Sequence, residues 1–293
     1  MSGPDKNQGL RITAPAKINL FLHITGRRDD GFHLLESLFV FTRAGDVITI
    51  GAADGLVFSQ CGQFSAGLDG GEDNLVVKAA RVLAAAAGID PAVSITLEKN
   101  LPVAAGIGGG SADAAATLLG LNEFWQLGWS NDRLEDVALR LGADVPACLH
   151  RSPLYVEGVG EHLTPVELGF TAGVLLVNPG KTLSTPAVFA AYRLANTPFD
   201  TSGAGAAKPW QSLCNVIQQT KNSLQAAAIG ACADIQRVLD YLIAIPGVKL
   251  VRMSGSGATC FALFSDRAAA EAALAQGKKD KPEWWFMADE IAR

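Results

Sequence analysis

Four glycines in five positions, Gly106, Gly108, Gly109 and Gly110, sit inside the stretch Leu101–Asn122, LPVAAGIGGGSADAAATLLGLN, and constrain the fold more than any other part of the chain. Glycine has no β-carbon, so such a loop bends sharply and brings its amides close to a ligand. Pro102 withholds a backbone donor and disfavours helix at Leu101. Ser111 then stands where an N-cap belongs, and Leu118, Leu121 and Trp125 follow at helical spacing. The pattern predicts an amphipathic helix from Ser111 to near Gly128. A loop of bare N–H groups running into a helix N-terminus binds anions, because the unpaired donors and the positive end of the helix dipole point the same way. A turn before an ordinary buried helix needs fewer glycines.

Two common phosphate loops do not fit. A P-loop NTPase needs Lys-Ser or Lys-Thr after the last glycine, where this chain has Ser111-Ala112. A dinucleotide fingerprint wants a third glycine where Ser111 stands, directly after a strand, and Leu101-Pro102 is a poor strand end. The run Pro-x-x-x-Gly-x-Gly-Gly-Gly-Ser-Ala-Asp-Ala instead resembles the nucleotide-phosphate loop of the superfamily of galactokinase, homoserine kinase, mevalonate kinase and phosphomevalonate kinase (GHMP kinases). Two further motifs follow in that superfamily's order: Gly142-Ala143-Asp144-Val145-Pro146 and the glycine-rich Ser254-Gly255-Ser256-Gly257-Ala258. The opening APAKINLFLHITGRRDDGFH is similar to one branch, whose members phosphorylate a cytidine-diphosphate-linked methylerythritol in the methylerythritol phosphate pathway of isoprenoid precursor synthesis.

The resemblance implies an α+β chain of two domains with a cleft between them. The N-terminal nucleotide-binding domain would span residues 1–152 and the ferredoxin-like C-terminal substrate domain 153–293, with composition shifting to strand and turn after Ser152. It implies ATP and Mg2+ as cofactors. Pro102, Val103, Ala104, Ala105, Gly106, Ile107, Gly108, Gly109, Gly110, Ser111 and Ala112 would hold the nucleotide phosphates, and Asn74, in Glu72-Asp73-Asn74-Leu75, would border the adenosine. Asp144 would orient the acceptor hydroxyl and take its proton, with Lys17 keeping Asp144 ionised and shielding the migrating charge. Phe32 and Phe189 would sandwich the cytosine, His33 would hydrogen-bond its edge, and Asn19 and Thr185 would be second-rank substrate contacts.

Taken alone, these residues have plainer readings. Lys17 at a strand entrance is a solvated edge charge, Glu72-Asp73-Asn74-Leu75 a helix N-terminus with favourable acidic residues, and Asp144 the cap of a helix starting at Val145-Pro146. Two alternatives stay open: a sibling kinase acting on a sugar, homoserine or mevalonate, and a nucleotide-binding module without transfer activity. Metal ligands are open too, since no carboxylate matches the magnesium-ligand glutamate of some superfamily members. Ser212-Leu213-Cys214-Asn215-Val216 is only a degraded form of the family's Asn-Asp-Leu-Glu run.

Composition narrows the partners. The 293 residues carry a net charge of −5, which offers nucleic acid no global basic field. The polar opening MSGPDKNQGLRIT lacks the apolar core of a signal peptide, and no apolar run reaches membrane-spanning length. Five dispersed cysteines without C-x-x-C spacing read as buried thiols of a reducing, cytoplasmic compartment, and four unpaired histidines disfavour zinc. A small-molecule substrate is therefore the expected partner, and a homodimer is compatible with the sequence.

Periodicity predicts strands at 11–26, 32–42, 46–50 and 93–97 and helices at 75–87 and 132–141. After Ser152 it predicts strands at 155–159, 173–178, 249–253, 260–264 and 284–291, with helices at 182–194, 215–225 and 232–243. Residues 195–209 read as a loop, and Lys278–Lys281 as a solvated turn.

Overall fold

The computed structural model describes residues 9–201 and 220–292. The run at 212–216, most of the 195–209 loop and the first half of the helix expected at 215–225 lie outside them. The chain divides into two compact units, and the division is not a single cut: residues 1–16, 44–103 and 109–150 form the first, and 17–43, 104–108 and 151–293 the second. Strands β1 (Leu10–Arg27) and β2 (His33–Gly51) each run from one unit into the other. The two strands expected at 32–42 and 46–50 are thus one.

In the first unit, the C-terminal half of β2 pairs antiparallel with β4 (Val93–Glu98), and β3 (Leu56–Cys61) lies parallel on the far side of β4. Alternation sets the buried face, with Val93, Ile95 and Leu97 inside. Helix α1 (Leu75–Ala87) starts at Asn74, whose Oδ1 accepts from the Val76 amide at 2.9 Å, and ends on a left-handed Gly88. Helix α2 (Gly109–Phe124) departs from expectation twice: it begins before Ser111, which is therefore no cap, and it is buried on nearly all sides rather than amphipathic. Its small residues explain the second point. A β-carbon at Gly120 would lie 2.6 Å from the Cδ1 atoms of both Ile12 and Ile50, so the helix packs against the strands almost backbone to side chain. Helices α3 (Asn131–Ala138) and α4 (Val145–His150) complete the unit.

In the second unit, the N-terminal half of β2 pairs with β5 (Leu154–Gly158), which pairs with β6 (His162–Pro165). A separate antiparallel sheet is built from β7 (Gly173–Asn178), β8 (Leu250–Met253), β9 (Cys260–Phe264) and β10 (Trp285–Glu290), in the order β10-β7-β9-β8. Fourth, first, third, second, with helices between first and second and between third and fourth, is the ferredoxin-like arrangement the resemblance implies. Leu175, Val177, Cys260, Ala262 and Phe264 bury one sheet face against α5 (Thr185–Leu194), α6 (Gln225–Ala231), α7 (Asp234–Ile243) and α8 (Arg267–Asp280). Lys278–Lys281 is the end of α8, not a free turn. Residues 220–224 are not helical, so α6 begins at Gln225. Among the described residues no helix is long and apolar enough to cross a membrane.

Candidate active site

The glycine stretch crosses the division between residues 108 and 109. On the second-unit side, four consecutive carbonyls are engaged: Ala104 accepts from the Leu183 amide (3.3 Å), Ala105 from the Thr259 amide (3.1 Å) and Ile107 from the Lys17 amide (2.9 Å). Gly106 accepts from Ser254 Oγ at 2.9 Å. These four bonds fix the course of the loop backbone. The conformation demands glycine: Gly106 has φ +74°, and a β-carbon there would lie 2.5 Å from the Ser254 carbonyl oxygen.

Lys17 is only 4% exposed, so the solvated-edge reading fails. Its ammonium donates to Asn19 Oδ1 at 3.1 Å and lies 4.2 Å from the centre of the Phe39 ring. Asn19 is held in turn, donating through Nδ2 to Ser37 Oγ (2.9 Å) and through its amide to Ser254 Oγ (3.2 Å). Ser254 therefore ties the Lys17–Asn19 pair to Gly106. Thr185, at the start of α5, shares a 2.8 Å hydrogen bond with Ser256 of the same loop.

The turn 28–32 joins β1 to β2 and presents Phe32 at 64% exposure. His33 does not follow it outward: its ring centre is 5.2 Å from Phe189 and 5.8 Å from Tyr192. Burial, and then the charges of Arg27 and Arg193, lower the His33 pKa, so the imidazole is neutral at neutral pH. Tyr192 is absent from the sequence-derived site. Its position three residues after Phe189 on a helix was the available signal, and its buried hydroxyl has no hydrogen-bond partner among the described residues.

In the first unit, Asp144 directly precedes α4, and its carbonyl accepts from the Cys148 amide at 3.2 Å. Asn74 spends its side chain on structure, capping α1 and donating to the Asp69 carbonyl at 2.8 Å. A buried cluster that the motifs do not announce lies beneath the start of α2. Lys99 Nζ donates to Asp46 Oδ2 and to Asp113 Oδ2, both at 2.6 Å, while Asp46 Oδ1 accepts from the Asn100 and Leu101 amides. A β-carbon on Gly109 would come within 3.2 Å of that ammonium. Burial tends to lower the Lys99 pKa, but the Asp113 and Asp46 carboxyls outweigh it and raise it. Burial also pushes the Asp113 carboxyl up to about 8, with Asp46 adding to it against the pull of Lys99, and Asp113 Oδ1 has no hydrogen-bond partner among the described residues.

A glycine loop tied down through its carbonyls, a pinned buried lysine and a ferredoxin-like sheet fit one class, that of the GHMP kinases. Their N-terminal domain model matches residues 74–152 and their C-terminal model residues 202–282. At 15% identity over 99% of this chain, the crystal structure of Leishmania major mevalonate kinase shares the fold, with a TM-score of 0.72. Much nearer are the 4-diphosphocytidyl-2-C-methyl-D-erythritol kinases. That of Brucella melitensis is 46% identical, covering 96% of each chain, and that of Rhodospirillum rubrum is 43% identical, covering 95% of this chain and 91% of its own. A crystal structure of 4-(cytidine 5'-diphospho)-2C-methyl-D-erythritol kinase superposes with a TM-score of 0.81 at 32% identity, covering 97% of this chain and all of the other. The chain belongs to the 4-diphosphocytidyl-2-C-methyl-D-erythritol kinase family.

Proposed function

We propose that this chain transfers the terminal phosphoryl group of ATP to the 2-hydroxyl of 4-diphosphocytidyl-2-C-methyl-D-erythritol. The observation that best supports this acceptor is the ring cluster of His33, Phe189 and Tyr192. A neutral imidazole against two aromatic rings offers a pyrimidine both a stacking face and a hydrogen-bonding edge. Phe32, exposed on the adjoining turn, supplies a further ring.

Phosphoryl transfer asks for positioning and charge neutralisation more than covalent chemistry. ATP supplies the phosphoryl group. The glycine loop at Gly106–Gly110 and the start of α2 would hold its phosphates, with Asn74 on the adenosine side. Magnesium would come with the nucleotide and add to the neutralisation of phosphate charge; among the described residues no cluster of three histidine, cysteine or acidic side chains is placed to hold a metal. Asp144 accepts the hydroxyl proton as the new O–P bond forms and the bond to ADP breaks. Lys17, held by Asn19, neutralises the oxygens in flight.

The test is an ADP-release assay with three acceptors: the cytidine-linked erythritol, its uridine analogue and free methylerythritol. Stacking tolerates either pyrimidine, so preference for cytosine must come from ring-edge hydrogen bonds, worth about 1–3 kcal/mol when a buried partner is left unpaired. Equal turnover of all three would remove the cytidine reading and favour a sibling kinase.

A further inference from the structure

Asn222 sits in the short segment just before α6, and its side chain uses three hydrogen bonds at once. Nδ2 donates to the carbonyls of both Met253 and Gly255, each at 2.8 Å, while Oδ1 accepts from the Leu224 amide at 2.9 Å. The orientation of the amide is unambiguous, because a flipped group would set its oxygen against two carbonyl oxygens. Gln225 adds a fourth tie, its Oε1 accepting from the Met253 amide at 3.1 Å. The segment is itself anchored. Leu22 donates its amide to the Lys221 carbonyl at 3.0 Å, the Ser223 amide donates to Leu22 at 2.8 Å, and the buried Arg252 guanidinium bonds both Leu20 and Thr220.

The held loop bonds the glycine stretch, Asn19 and the start of α5. Ser254 Oγ bonds Gly106 and Asn19, Thr259 bonds Ala105, and Ser256 bonds Thr185. We infer that Asn222 is a positioning residue for phosphoryl transfer: its two donated bonds hold the Ser254–Ala258 loop in the place from which Ser254 fixes both the glycine loop and the Lys17–Asn19 pair. The inference deepens the kinase reading and rests on it for its kinetic consequence.

Asn222→Asp separates this role from helix capping, because aspartate keeps the acceptor for Leu224 and loses both donors. In the full chain, hydrogen exchange should quicken at residues 254–259 and stay unchanged across α6. With ATP and the cytidine-linked acceptor, kcat should fall on the order of 10²-fold with far smaller changes in KM, the expected penalty for misplacing reacting groups by about an ångström. Asn222→Ser, which keeps one donor, should fall between, and it serves should the aspartate variant fail to fold. Gln225→Glu should leave the Met253 amide protected, since a carboxylate accepts the same bond. Loss of protection in α6 alone, or a loosened loop with kcat within about threefold of wild type, overturns the inference. If wild type does not phosphorylate the acceptor, the kinase reading falls, while the exchange result still decides whether Asn222 holds the loop.

Discussion

Replacing Asp113 by asparagine changes one atom in a side chain that is 4% exposed and lies 2.6 Å from a buried ammonium. Burial raises the carboxyl from its ordinary 3.8 to about 8, so the folded protein keeps a proton that the unfolded chain releases near pH 4. A group raised in this way contributes stability that is complete below its unfolded pKa and is lost as pH rises toward the folded value. The loss is about 1.4 kcal/mol per pH unit, with a ceiling of about 6 kcal/mol over the window. Lys99 does not offset it there: its pKa is raised above 10.5, so its own contribution is lost only at still higher pH. The asparagine of the Asp113→Asn variant cannot ionise and has no such slope. Denaturant unfolding of both proteins at pH of about 5.5, 6.5 and 7.5 isolates the cluster's contribution, because groups outside it cancel in the difference. The balance should move toward the variant by about 1.4 kcal/mol with each unit and level off above pH of about 8. Parallel stability curves would show that Lys99 keeps Asp113 ionised throughout and would refute the reasoning. The same charge lies near the start of α2, so the wild-type KM for ATP should rise above pH of about 8, and that rise should vanish in the variant.

Asp144→Asn should bind ATP normally and lose about 10²- to 10⁴-fold in kcat, measured by nucleotide titration beside ADP release; near-normal turnover would reduce Asp144 to a helix cap. Lys17→Met should lower kcat far more than it raises the KM for ATP, because the charge it neutralises is greatest in the transition state. A change confined to the nucleotide KM would make it an ordinary phosphate contact. Gly106→Ala should destabilise the fold by at least about 1–2 kcal/mol through the left-handed backbone alone, before the 2.5 Å approach to Ser254 is counted, and should raise the KM for ATP. Unchanged thermal stability would contradict the geometry of the loop.

Signals confined to a few neighbouring residues were legible in the chain itself. The helix N-terminus at Glu72-Asp73-Asn74-Leu75 and the strands at 93–97 and 260–264 depend on local spacing, and each lies where that spacing puts it. Motifs in order were enough to bring out the family, because phosphate loops need particular residues at particular intervals. What tertiary structure decided were the consequences of packing at long range. Helix α2 starts at Gly109, and it is buried nearly all round because small residues let it approach the strands closely, which its own periodicity does not record. Residues 32–42 and 46–50 fuse into one strand because β5 and β4 each pair with part of it. Lys99 meets Asp46, fifty-three residues away, and Asp113, fourteen away, only because β2, β4 and α2 converge. His33 finds Phe189 and Tyr192, and Asn222 finds Met253 and Gly255, by the same means. A hydrogen bond or a ring contact depends on ångströms between atoms, and those distances are set by how the elements pack, not by the number of residues between them.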